Sequence, residues 1–259
     1  MWTRRELKAR AKHVLRTSYW KALVVSLLLA FISGELPTGP FNFGGGGRGG
    51  NHIDSSTSIS NFTDGFGDIP TGALITIIAF GIVIAVIVAL VVIAFRVFVC
   101  APLEVGIRQY FKQAAQSDVR MDYLGYAFIQ GRYLANVKAM LWKDFLNFLW
   151  YLLFLVPGIV KSYAYSLVPY ILADNPGIGT YRAVELSNRM TRGHKWKMFV
   201  LDLSFIGWYL LGSIALLVGV LFVLPYVNST KAELYLAIRG QALSEGICSS
   251  SELNLPEWV

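Results

Sequence analysis

Charge is what this chain has least of. Only 15% of its 259 residues are Asp, Glu, Lys or Arg, against about a quarter in an ordinary soluble domain, which excludes a compact fold with a fully charged surface. Two cysteines, Cys100 and Cys248, are too few for a disulfide scaffold and read as free thiols. The three histidines, His13, His52 and His194, fall on different segments, so neither a metal site nor a cofactor is expected. Acidic residues number 16 against 23 basic ones. In a soluble chain the resulting +7 would suggest nucleic acid; here the distribution of the charge excludes that partner. What is plentiful is apolar: 55% hydrophobic, 14% aromatic, mean hydropathy +0.52. Disorder is excluded by these figures. An all-α, polytopic membrane protein is the class they leave.

The strongest signal is the stretch Ile69–Phe95, 27 residues without a charge between Asp68 and Arg96. A helix of that length exceeds the roughly 20 residues needed to cross a bilayer. A second span, Ala22–Ser33, is led by Tyr19 and Trp20 as an aromatic anchor. A long basic region precedes it and no small-x-small cleavage site follows, which disfavours a signal peptide. From Phe145 to Leu172 the only charge is Lys161, and Pro157-Gly158 marks the expected meeting point of two helices, either a pair of short crossings or a re-entrant hairpin. The last apolar region, Trp196 to Thr230, reads as one long helix or as a hairpin turning near Gly212-Ser213.

Basic residues concentrate in three segments: seven in 1–21, seven in 96–143 and five in 174–198, whereas 34–68 holds only Arg48. Basic loops stay cytoplasmic, which places the N-terminus inside and the 34–68 loop outside. Arg4 to Arg16 is expected to form a basic helix at the membrane surface, with Leu7, Ala11 and Val14 on its apolar side and anionic lipid headgroups as partners. The organisation expected is thus an N-terminal helix over 1–21, a membrane domain over 22–239 and a polar cytoplasmic tail over 240–259. The run Gly44-Gly45-Gly46-Gly47-Arg48-Gly49-Gly50 lacks the Lys-Ser/Thr of a phosphate-binding loop and reads as a linker.

Seven polar residues interrupt the apolar pattern and are the candidate functional positions: Tyr163, Ser166, Tyr170, Asp174, His194, Lys195 and Asp202. The first four are spaced 3, 4 and 4 apart and would share one helix face. Such a stripe must face protein or water, as a cavity wall or as interhelical hydrogen bonding. Lys161, on nearly the opposite face, is expected to snorkel to the outer headgroups. Asn175 and Pro176 suit the start of a helix running to about Met190, with Gly193 beyond its end. Asp202 needs a partner, from His194, Lys195 or Lys197 at the boundary or from a polar stripe elsewhere. A His194–Asp202 proton relay is the sharper alternative to a structural ion pair.

The run Val156-Pro157-Gly158-Ile159-Val160-Lys161-Ser162-Tyr163-Ala164-Tyr165, with Pro169-Tyr170 and Ala173-Asp174-Asn175-Pro176, resembles the domain-of-unknown-function 975 family of bacterial membrane proteins. The likeness extends through Ala183, Ser187, Met190 and Gly193-His194-Lys195-Trp196-Lys197 to Leu201-Asp202-Leu203-Ser204-Phe205-Ile206-Gly207-Trp208, then to Pro225-Tyr226 and the N-terminal Ala11-Lys12. It implies a bundle of about six membrane segments in the bacterial plasma membrane, both termini cytoplasmic, with a hairpin after Trp196. The Gly-rich outer loop departs from the family pattern. The resemblance supplies no activity.

No catalytic constellation is legible, so a non-enzymatic accessory or regulatory membrane component is the expectation, acting with a protein partner or as a homo-oligomer. An oligomeric small-molecule or ion transporter and a lipid-acting enzyme are the alternatives.

Overall fold

The computed structural model describes residues 2–33, 71–129, 131–214 and 218–255; the Gly-rich loop with His52 lies outside the described residues. The described chain is all-α, with no strand. In chain order it forms α1 (Arg4–Ser33), α2 (Thr71–Phe95), a π-helical turn (Arg96–Cys100), α3 (Ala101–Ala115), a 3-10 segment (Met121–Phe128), α4 (Tyr133–Leu153), α5 (Leu155–Tyr165), α6 (Val168–Asp174), α7 (Thr180–Met190), α8 (Lys195–Ile214) and α9 (Val218–Ser244). Contacts divide it into two units, Asn42–Phe95 and the remainder.

The described part of the smaller unit is α2. Every side chain from Ile75 to Phe95 is exposed, and the helix is apolar on all sides, the pattern of a lipid-embedded segment and not of an amphipathic surface helix.

In the larger unit, α1 consists of two helical stretches that meet at a kink at Ser18, where the backbone is non-helical (φ −125°, ψ 18°). Ser18 Oγ donates back to the Val14 carbonyl at 2.9 Å, a bond that competes with the helical ladder and bends it. Leu7, Ala11, Leu15, Ser18, Ala22, Val25 and Leu29 are all buried, one helical face through the bend. The basic half therefore packs its apolar side on protein: α1 lies against α3 and α9, Lys8 Nζ sits 4.3 Å from the centre of the Phe205 ring, and Lys12 Nζ lies 5.7 Å from that of Tyr226. Its outer face keeps Arg4, Arg5, Arg10, Lys12 and Arg16 exposed.

The expected joint at Pro157-Gly158 lies three residues earlier. The Pro157 ring excludes the carbonyl of residue 153, so α4 ends at Leu153, Phe154 is extended (φ −159°, ψ 148°), and proline falls in the first turn of α5. Gly158 is needed because a Cβ there would lie 2.6 Å from Cδ1 of Tyr151 on α4. Pro169 repeats the effect, and the chain breaks again at Ser166-Leu167 before α6. Likewise the helix expected from Pro176 begins only at Thr180. Asn175 caps a single 3-10 turn, Oδ1 accepting from Gly177 N at 2.9 Å, and Gly179 (φ 89°) redirects the chain into α7.

Helices α8 and α9 are separate, and a Cβ on Gly212 would lie 2.8 Å from the Gly219 carbonyl carbon and Val220 N, so the two backbones meet closely there. Their connection, 215–217, lies outside the described residues. α9 continues past residue 239 to Ser244, and the tail folds back, with Cys248 and Leu253 buried and Glu252 ion-paired to Arg182 at 2.6 Å.

Three described helical stretches are long and apolar enough to cross a membrane: Arg4–Ile32, Ile75–Ala115 and Leu155–Asp174. The six segments expected are thus not all marked by length and composition. α4 carries Lys138, Lys143 and Asp144, α8 carries Lys195, Lys197 and Asp202, and the apolar part of α9 ends at Asn228-Ser229-Thr230-Lys231.

Candidate functional site: a charged cavity in the helical bundle

Two groups of charged side chains lie inside the larger unit. The deeper one surrounds Asp174 at the end of α6. Lys112 Nζ donates to Asp174 Oδ1 at 2.5 Å and to the Ala173 carbonyl at 3.1 Å. Arg239 Nη1 reaches both carboxylate oxygens at 3.1 Å, and the Tyr235 hydroxyl donates to Oδ2. All three ionic side chains are at most 6% exposed. Burial of ions is tolerated only where each is paired and hydrogen-bonded, and this network ties α3, α6 and α9 together through their side chains.

The second group lines a cavity of about 270 Å³ whose wall includes Ser26, Arg96, Cys100, Glu104, Arg108, Lys143, Asp144, Asn228 and Lys231. A smaller cavity of about 150 Å³ shares Glu104, Arg108, Lys143 and Lys231 and adds Tyr163, Ser166, Tyr170 and Asp202. Arg108 organises the wall: it donates to Glu104 and to Asn228 Oδ1, each at 3.4 Å, and its guanidinium lies 5.4 Å from the centre of the Tyr170 ring. Asn228 Nδ2 in turn donates to Ser26 Oγ at 3.2 Å. Lys143 pairs with Asp144 at 3.2 Å and lies in Coulombic range of Glu104.

The candidate positions separate into three environments. Tyr163, Ser166, Tyr170 and Asp202 line the smaller cavity. Asp202 accepts from the Tyr163 hydroxyl at 3.1 Å and faces Lys231 Nζ at 3.6 Å, so its partners are the stripe and α9, not the boundary cations. The break at Ser166 interrupts the single face: Ser166 is exposed and bonds the Tyr163 carbonyl, Tyr170 is buried and stacks on Tyr235 at 5.0 Å, and Asp174 belongs to the deeper network.

His194 is not joined to Asp202. Asp202 lies eight positions further along the chain, about 12 Å along a helix axis, and the imidazole packs instead on Trp2 at 6.0 Å. Burial holds its pKa below the usual value, aided by Lys197. Lys195 donates to Asn188 Oδ1 at 3.3 Å. Lys161 is not directed outward alone: its ammonium lies 4.7 Å from the centre of the Trp150 ring and within Coulombic range of Lys195.

Glu104, Arg108, Lys112, Lys143, Lys231 and Arg239 were not singled out by sequence reasoning, which treated the basic ones as orientation signals. One signal was available: Glu104, Arg108 and Lys112 recur every four residues, one charged stripe on a helix next to an apolar run. No group of three or more His, Cys, Asp or Glu that could hold a metal occurs among the described residues.

An all-helical chain with long apolar helices and ionic groups inside its bundle is the class these observations define. The chain belongs to the family described as "Protein of unknown function (DUF975)", whose model matches residues 72–242 and so includes the cavity's Arg96 to Lys231. No curated protein and no solved structure matches it.

Proposed function

We propose that the chain is a multi-pass protein of the bacterial plasma membrane, with about six membrane segments and both termini cytoplasmic, that serves as a non-enzymatic accessory or regulatory component beside a protein partner or further copies of itself. The observation that carries this reading is the buried Lys112–Asp174–Arg239 network, which fastens α3, α6 and α9 to one another and suits a body that braces a neighbour. The distribution of basic residues supports the orientation, since 1–21, 96–143 and 174–198 hold nearly all of them. The exposed cations of α1 then face anionic lipid headgroups.

A transport role is the second reading, favoured by the cavity that Tyr163, Asp202 and Lys231 line. Brief cross-linking in the native membrane, purification in mild detergent and identification of what co-purifies at fixed stoichiometry separates the two. A stoichiometric foreign subunit supports the accessory role. A homo-oligomer that moves solute in vesicles, and ceases to do so as Asp202→Asn, supports transport.

A further inference from the structure

The larger cavity is unbalanced in charge. Arg96, Arg108, Lys143 and Lys231 line it, against Glu104 and Asp144. Asp144 pairs with Lys143 at 3.2 Å from a side chain 63% exposed, while Lys143 and Arg108 are only 16% exposed. Asp202, on the far side of Lys231, is engaged there and with Tyr163. Glu104 and Asp144 are thus shared among Arg108, Lys143 and Arg96, all three of which act on Glu104 electrostatically. The wall holds more cations than carboxylates, a potential that favours the entry of an anion.

The remaining wall is suited to the same guest. Ser26 and Asn228 bring hydrogen-bonding groups between α1 and α9, and polar atoms dominate the lining. The Arg108 guanidinium, held in place by Glu104 and Asn228, and the Lys143 ammonium bring a delocalised and a point positive charge to the same wall. Arg96 is exposed and also lines the cavity, so it stands where the cavity opens. Its volume of about 270 Å³ is roughly nine times one water's share of liquid volume, ample for a phosphate with its ester carbons.

We propose that this cavity binds a phosphate group, carried by an anionic lipid headgroup or free in solution, with Arg108 and Lys143 as its principal holders and Arg96 at the entrance. The lipid source rests on the membrane reading above; the free anion does not.

Cys100 provides the test, because it lines this cavity whereas Cys248 does not. The delipidated full chain in non-ionic detergent is alkylated with N-ethylmaleimide. The probes are inorganic phosphate, short-chain phosphatidylglycerol, short-chain phosphatidylcholine and, at matched ionic strength, sodium chloride. Phosphate or phosphatidylglycerol should slow modification of Cys100 several-fold with Cys248 unaffected. Protection by phosphatidylglycerol alone assigns the lipid source, and protection by phosphate assigns the free anion.

Lys143→Gln and Arg96→Gln should each raise the protecting concentration, the first by about tenfold, equivalent to about 1.4 kcal/mol. Arg4→Gln, outside the cavity, should not. The proposal is overturned if neither probe protects wild-type Cys100 better than chloride and phosphatidylcholine do, an outcome that needs no variant to fold. Equal protection in folded Lys143→Gln and Arg96→Gln overturns it as well.

Discussion

Lys112 and Asp174 stand 62 residues apart in the chain and 2.5 Å apart in the fold, each with its side chain about 3% exposed. Two cations, Lys112 and Arg239, share this one carboxylate. Removing the acid is therefore worse than removing either base. Asp174→Ala leaves two buried cations unanswered and should cost about 3–5 kcal/mol. Lys112→Met leaves Asp174 with Arg239 and Tyr235, and should cost about 1.5–3 kcal/mol, the range for a hydrogen bond to a charged group. Thermal unfolding of the detergent-solubilised chain checks the order. If Lys112→Met unfolds the protein as readily as Asp174→Ala, the carboxylate is not the centre of the network.

Asp202 behaves differently, because its pair with Lys231 is 34% and 39% exposed. A pair so open to its surroundings contributes about 0–1 kcal/mol. Asp202→Asn should therefore stay folded and abundant, keeping the hydrogen bond from Tyr163. Immunoblotting of membranes and the elution profile of the purified variant test this. Loss of function in a folded Asp202→Asn protein would point to the charge itself, and loss of the protein would point to pairing as its role.

The helical class was legible because a 27-residue uncharged run leaves few alternatives. The interruptions were legible in kind and misplaced by a few residues, since a proline forbids the carbonyl four residues before it and so acts upstream of where it stands: Pro157 ended α4 at Leu153, and Pro169 closed α5 at Tyr165. Asp202 was correctly read as needing a partner. Which cation answered it depended on α8 and α9 lying side by side, and nothing local to Lys231 revealed that. The same holds for Lys112 and Arg239. Counted along the chain, they set orientation; only packing gives them a common carboxylate.

The C-terminal tail should loosen in acid. Arg182 hydrogen-bonds both oxygens of Glu252, at 2.6 and 3.3 Å, and this holds the Glu252 carboxyl below the usual carboxylate range. A depressed folded-state pKa means stabilisation that is complete above the unfolded value of about 4.3 and fades as pH falls through the folded one. Both side chains are partly exposed, so the effect is about 0.5–1 kcal/mol. Hydrogen exchange in residues 245–255, corrected for intrinsic rates, should rise on acidification in wild type. Arg182→Gln should flatten that dependence and, at neutral pH, speed alkylation of the buried Cys248 by about two- to fivefold. An unchanged Cys248 rate would mean that other contacts fix the tail.

Two glycines in the family-matched region make opposite demands on the packing. On Gly106 in α3 a Cβ would fall onto the Leu124 carbonyl oxygen of the 3-10 segment, backbone against backbone. Neither side can rotate away, so Gly106→Ala must separate the two elements, at about 1–3 kcal/mol or more. Gly207 on α8 has nothing within 4 Å of a Cβ. There Gly207→Ala removes backbone freedom from the unfolded chain and should raise stability by up to about 1 kcal/mol. The paired unfolding midpoints test the geometry of α3 directly. They also test α8, where Gly207 lies within the family-matched region. A Gly207→Ala protein more stable than wild type but inactive would show that Gly207 serves an encounter on the exposed side of α8, with lipid or with a partner helix, and not the stability of the fold.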